Sequence, residues 1–124
     1  KDRYNVSFIY VTHDLSTAYY ISDYIATFYR GCLVEYGPAK EIMDGPAHPY
    51  TELLMNAIPR VGEMWCDQLP MSDIEEKEYA IRYCKFAPRC AAATDECRRE
   101  KPHIISFGES RKVLCFHPLL REGI

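Results

Sequence analysis

The chain has 124 residues, a formal net charge of −3 and 27% charged residues, which bounds it to one ordinary domain or two small units. It contains no run near the roughly 20 consecutive apolar residues that a membrane span needs, and the opening Lys-Asp-Arg-Tyr has no signal-peptide character. So small a net charge gives no case for nucleic acid or an acidic surface as partner.

Residues 5–12 hold the short apolar, β-branched and aromatic run Val6-Ser7-Phe8-Ile9-Tyr10-Val11, which predicts a buried central strand. Thr12-His13-Asp14 follows it. Asp14 is placed to cap a helix over 15–22, with Leu15, Ala18 and Tyr19 at helical spacing. Residues 24–29 and 32–36 predict two strands joined at Arg30-Gly31 in a hairpin turn. Pro38 opens a short helix, 39–44, that Gly45 closes. His48-Pro49 opens another, in which Tyr50, Leu53, Leu54, Ala57 and Ile58 fall on one face and predict burial; Pro59 stops it.

Between residues 60 and 80 the periodicity fades. Six acids (Glu63, Asp67, Asp73, Glu75, Glu76, Glu78) stand against Arg60 and Lys77, so this stretch reads as an acidic linker, with one short strand near Met64–Cys66. Residues 82–117 reverse the balance, with eight bases against four acids. From residue 81 the chain is short, irregular and cysteine-rich, and a segment of that size needs a metal or a covalent staple to be stable. Four of the six cysteines lie there: Cys84, Cys90, Cys97 and Cys115. Without a secretion signal, such a cluster points to metal or redox chemistry before a disulfide framework. The spacing, C-x5-C-x6-C-x17-C, has neither the x2 pairs of zinc knuckles nor the x2-x2 run of bacterial ferredoxins. Four thiolates can hold an iron–sulfur cluster or zinc; two disulfides and plain buried thiols are the alternatives.

The order strand, Thr12-His13-Asp14-Leu15, helix, hairpin, Gly37-Pro38, then His48-Pro49-Tyr50-Thr51 and Ile58-Pro59, resembles the C-terminal part of an ABC-transporter ATP-binding subunit. The His-Pro-Tyr-Thr stretch and the cysteine-rich tail, with Tyr83-Cys84-Lys85-Phe86-Ala87-Pro88-Arg89-Cys90, are similar to the oligopeptide/dipeptide (and related nickel) branch. The resemblance runs over residues 4–119. It implies an α/β fold: the C-terminal fragment of a RecA-like nucleotide-binding domain at 1–59, the linker at 60–80, and a small irregular tail at 81–124. The sequence has no G-x-x-x-x-G-K-[ST] phosphate loop and no apolar strand ending in Asp-Glu. The chain thus reads as a piece of such a subunit, inactive alone.

The resemblance assigns His13 as the switch histidine that reaches the γ-phosphate of ATP, with Mg and ATP bound by the whole subunit. For Cys84, Cys90, Cys97 and Cys115 it implies a [4Fe–4S] cluster, and the neighbouring Lys85, Arg89, Arg98 and Arg99 suit an anionic centre. Its implied partners are a second nucleotide-binding subunit and membrane permease subunits, at the cytoplasmic face of the membrane. A standalone zinc or iron–sulfur module is the competing reading. Cys32 reads as a small buried hydrophobe, Cys66 has no assigned role, and His48 and His103 read as capping or surface residues. His117, two residues after Cys115, is a substitute zinc ligand. Nucleic acid is not expected at residues 82–101, where the aromatics are few. An unpaired strand at 5–12 would leave a bare apolar edge, so the isolated chain is expected to self-associate.

Overall fold

A computed structural model describes residues 3–58 and 76–119. Helix α1 spans Leu15–Ile21 and is followed by strands β1, Tyr24–Tyr29, and β2, Cys32–Pro38. Helices α2, Ala39–Asp44, and α3, Pro49–Asn56, come next. After two short 3₁₀ turns, Glu76–Ala80 and Glu96–Arg98, strands β3, Ile104–Phe107, and β4, Arg111–Leu114, complete the described chain. Among the described residues no helix is long and apolar enough to cross a membrane.

The four strands form one antiparallel sheet in the order β1-β2-β4-β3. The expected hairpin is present: Tyr29 pairs with Cys32, and Arg30 and Gly31 turn with φ of 48° and 75°. Positive φ at both central residues matches the twist of a two-residue hairpin. A bulge between Thr27 and Phe28 shifts the register. Along β1, Ile25, Thr27 and Tyr29 are buried while Tyr24, Ala26 and Phe28 are exposed, the alternation of a one-sided sheet.

The tail is more regular than its composition predicts. Ile104–Phe107 and Arg111–Leu114 form a hairpin around Gly108, whose φ is 60°, and β4 docks on β2 with Glu35 opposite Val113. The cysteine-rich segment is therefore built into the same sheet as the first hairpin.

The predicted strand at 5–12 does not form. Residues 6–11 lie exposed, Ile9 at 95% and Val11 at 91%, and pair with no strand. A central strand depends on ladders at both edges and covered faces, and none of the described residues supplies them. The predicted apolar face of α3 is also only partly realised. Leu53 is 43% exposed and Thr51 is the residue the helix buries. The expected strand near Met64–Cys66, Cys66 itself and most of the acidic linker lie outside the described residues.

One buried ion pair joins the two hairpins to the loop before α3. Glu35, 0% exposed, accepts from Arg111 Nη2 at 2.8 Å and from the N–H groups of Ala47 and His48 at 3.0 Å each. Arg111 also donates to the Gly45 and Glu41 carbonyls. A Cβ at Gly37 would come within 2.9 Å of Arg111 Cγ, so the strand needs glycine where the arginine crosses it. Removing one member of such a pair leaves a buried charge uncompensated. Glu35→Ala should therefore lower stability by about 3–5 kcal/mol, read from the shift in a urea unfolding midpoint. A loss below about 1 kcal/mol, the scale of a surface ion pair, would refute that role.

Candidate functional site

Two groups of candidate residues stand apart in the fold. The first is His13, which is exposed at the end of the 6–12 segment. Beside it, Asp14 caps α1 as expected. Its carboxylate accepts from the N–H groups of Ser16 and Thr17, at 3.0 and 3.4 Å, and from both hydroxyls. The Ser16 hydroxyl, then that of Thr17, holds its pKa down to about 2. A depressed carboxylate contributes its cap above the ordinary carboxylate pKa and loses it as pH falls toward about 2. With Asp14 committed to the cap, His13 faces an open groove of about 710 Å³, together with residues 6–11, the outer face of β1, and Tyr50 and Leu54 of α3.

The second group is the cysteines. Cys84, Cys90, Cys97 and Cys115 come from three separate pieces of the tail and line one small cavity of about 10 Å³. Cys84 and Cys90 sit in a run of tight turns, with Ala87 N–H on the Cys84 carbonyl at 3.0 Å and Ala93 N–H on that of Cys90 at 3.2 Å. Cys97 is inside the 3₁₀ turn Glu96–Arg98, and Cys115 follows β4 directly. The sheet thus carries the fourth cysteine back to the other three. All five described cysteines are free thiols, so none of them forms the disulfides kept open on sequence grounds. Burial pushes the Cys115 thiol up to about 11 and raises Cys84 and Cys90 as well. Arg98 draws Cys90 the other way.

Aromatic side chains form the cavity's support. Phe86 packs edge-on against Tyr29, at 5.2 Å between centroids, and beside Tyr50 at 5.4 Å. Glu78 fastens the same region from outside, pairing with Arg30 and, at 3.4 Å, with Arg89. Lys85 Nζ donates to the carbonyls of Arg30 and Tyr79.

Two histidines also line the cavity. His117, expected there from its place after Cys115, meets Thr94 Oγ1 at 3.0 Å, and that hydroxyl lies 3.4 Å from the Cys97 sulfur. His48 was expected as a capping or surface residue. It does cap α3, its Nδ1 accepting the Tyr50 N–H, but it is also 1% exposed and on the cavity wall. Burial, offset in part by Glu35, lowers its pKa to about 4, so the ring is neutral above that pH. No spacing signal connects residue 48 with residue 84. The usable sign was Glu35, a charged residue at a strand position that the sheet buries. His103 lies outside this wall, packed edge-on against Phe116, and Cys32 is half-buried at the start of β2. Among the described residues, no three His, Cys, Asp or Glu side chains are grouped so as to hold a single metal ion.

A family model for the C-terminal region of oligopeptide/dipeptide transporters matches residues 34–97, about half of the chain. The chain belongs to this family. The match runs from β2 through Glu35, the His48 loop, α3 and three of the four tail cysteines. Among curated relatives, the dipeptide transport ATP-binding protein DppF of Haemophilus influenzae is 30% identical over 94% of this chain and 36% of its own length. DppD of the same organism is 35% identical over 95% and 36%. The oligopeptide transport ATP-binding protein OppD of Salmonella typhimurium is 32% identical over 96% and 36%. The chain spans about a third of the length of these relatives.

The burial pattern predicts a reactivity order. In the native chain Cys97 and Cys115, both buried, should be alkylated more slowly than half-buried Cys32, and denaturation should erase the difference. Site-resolved mass spectrometry after a timed iodoacetamide pulse reads this, and equal native rates would contradict the arrangement.

Proposed function

We propose that this chain supplies the C-terminal portion of the ATP-binding subunit of a peptide importer, carrying the switch histidine His13 and a [4Fe–4S] centre on Cys84, Cys90, Cys97 and Cys115. The observation that carries the reading is the convergence of four cysteines, spread over 32 positions of sequence, on one cavity in a chain of this family. The curated relatives are ATP-binding subunits of dipeptide and oligopeptide transporters, which supports ATP and Mg as the ligands of the whole subunit. A second nucleotide-binding subunit and membrane permeases are the proposed partners, and the cytoplasmic membrane face the proposed site of work. The open apolar groove supports the same reading. Residues 6–11 and the outer face of β1 offer the aromatic and β-branched surface on which the remainder of a RecA-like core would pack.

In that setting His13 stands at the carboxyl end of the 6–11 segment, where ligands of open α/β sheets are held. Its imidazole can hydrogen-bond the γ-phosphate and orient the attacking water. This chain's sequence carries no phosphate-loop pattern, so nucleotide binding is assigned to the whole subunit.

The cysteine residues present fit a cluster in three respects. The described thiols are free. They line one common wall, so four thiolates face the same space. Four thiolates on a [4Fe–4S]²⁺ core make a net charge of about −2 by formal counting, and Arg98, whose charge already acts on Cys90, would offset part of it. Once bound, such a group would supply strong metal–sulfur bonds and a one-electron couple. The chain's own part is to collect the thiolates: the turns at 84–93 present two, the 3₁₀ turn one, and β4 the last. Phe86 and Phe116 add apolar surface to the same wall.

Two outcomes follow. Anaerobic reconstitution with ferrous iron and sulfide should give a brown protein, and Cys84→Ser, Cys90→Ser, Cys97→Ser or Cys115→Ser should each remove the colour while Cys32→Ser keeps it. Acid-labile sulfide that stays at zero in the wild type would end the cluster reading. In an intact subunit containing these residues, His13→Ala should reduce ATP turnover about 100-fold or more, the usual scale of acid–base assistance, and leave nucleotide affinity nearly unchanged. Full turnover with weakened binding would remove His13 from the chemistry.

A further inference from the structure

The wall of the cysteine cavity has a polar contributor from a distant part of the chain. His48 shares it with Cys84, Cys90, Cys97 and Cys115, and three contacts determine where its ring lies. Its main-chain N–H is held by Glu35 Oε2 at 3.0 Å. Its Nδ1 accepts the Tyr50 N–H, also at 3.0 Å. Its ring tilts against Phe86, with centroids 5.8 Å apart. A ring nitrogen that accepts a hydrogen bond carries no proton, so the proton of this imidazole is on Nε2. Among the described residues no partner is found for Nε2. The other polar side chains on the wall are the four cysteines and His117, whose Nε2 is already engaged by Thr94. Sulfur is therefore the acceptor that the site offers.

We infer that His48 is a positioning residue of the cysteine centre, donating from Nε2–H to a sulfur of the bound cluster. The inference rests on the cluster reading of the cavity. It gives the His-Pro-Tyr run a single physical logic. Pro49 starts α3, the Tyr50 N–H selects the tautomer, and His48 presents its remaining proton to the site. A hydrogen bond to sulfur favours the cluster state with more negative charge, so it raises the reduction potential.

The test uses the full 124-residue chain, reconstituted anaerobically with ferrous iron and sulfide, as wild type and as His48→Asn. Asparagine keeps an acceptor for the Tyr50 N–H and loses the imidazole donor. With iron and sulfide content equal, a dithionite titration followed by electron paramagnetic resonance should place the variant's midpoint about 59 mV lower, a tenfold change for a one-electron couple. Equal midpoints at equal cluster content overturn the inference and leave the cluster reading standing. A wild type that takes up no iron and sulfide overturns the cluster reading, and the inference falls with it. Should His48→Asn fail to retain the cluster, the His117→Asn chain labelled with ¹⁵N-histidine decides the matter. Pulsed resonance of its reduced cluster should show one weak nitrogen coupling with an exchangeable proton nearby. No nitrogen coupling, or the strong coupling of a ligated histidine, overturns the inference.

Discussion

The carboxylate of Glu35 is the point on which the rest of this structure depends. It is fully buried in β2, yet it is satisfied from three directions: by the Arg111 guanidinium of β4 and by two successive main-chain N–H groups of the loop before α3. A buried carboxylate is tolerable only when its desolvation is offset by donors of this kind. Arg111 in turn reaches back to the carbonyls of Glu41 and Gly45 at the end of α2. One anion thus sets the docking of the second hairpin on the first and the entry angle of α3. Through these it also sets the position of Cys115, one residue beyond β4, and of His48.

A second layer of packing carries that geometry to the cysteines. Phe86, two residues after Cys84, inserts among Tyr29 of β1, Tyr50 of α3 and the His48 ring. Cys84 and Cys90 pack on the same cluster. Edge-to-face aromatic contacts are directional, so the tail's first turn is held relative to the hairpin and to the His-Pro-Tyr helix together. Any group that draws the four thiolates inward pulls on elements reaching from β1 to β4. This gives a physical path by which a change at the cysteine wall bears on β1 and α3.

The two groups of residues differ in how complete they are within this chain. The cysteine wall is assembled entirely from residues 48–117. His13 has its local scaffold, the Asp14 cap and α1, and faces an open apolar groove on its other side. That contrast agrees with a chain spanning about a third of its relatives. Short-range turns and one hairpin suffice to close the cysteine wall, whereas the groove beside His13 stays open.

What the sequence by itself determined is what local chemistry controls. Asp14 before Ser16 and Thr17, Arg30-Gly31 between two strands, Pro38 before α2 and His48-Pro49 before α3 each act within a few residues, and each appears where expected. Residue type and spacing also singled out the four cysteines, which line one wall in the fold. Only the tertiary structure decided the rest. Residues 6–11 have the composition of a strand, but a strand exists only through its neighbours, and here they stay exposed. The tail was read as irregular, yet Ile104–Phe107 and Arg111–Leu114 gain a ladder by docking on β2. Leu53 has helical spacing for a buried face and remains partly in water, because α3 turns Thr51 inward instead. His48 and the cysteines are far apart in sequence and share one wall because Glu35 and Phe86 bring them there. Periodicity and caps are properties of a segment, whereas ladders, buried ion pairs and shared cavities are properties of pairs of segments. No single stretch of chain contains them.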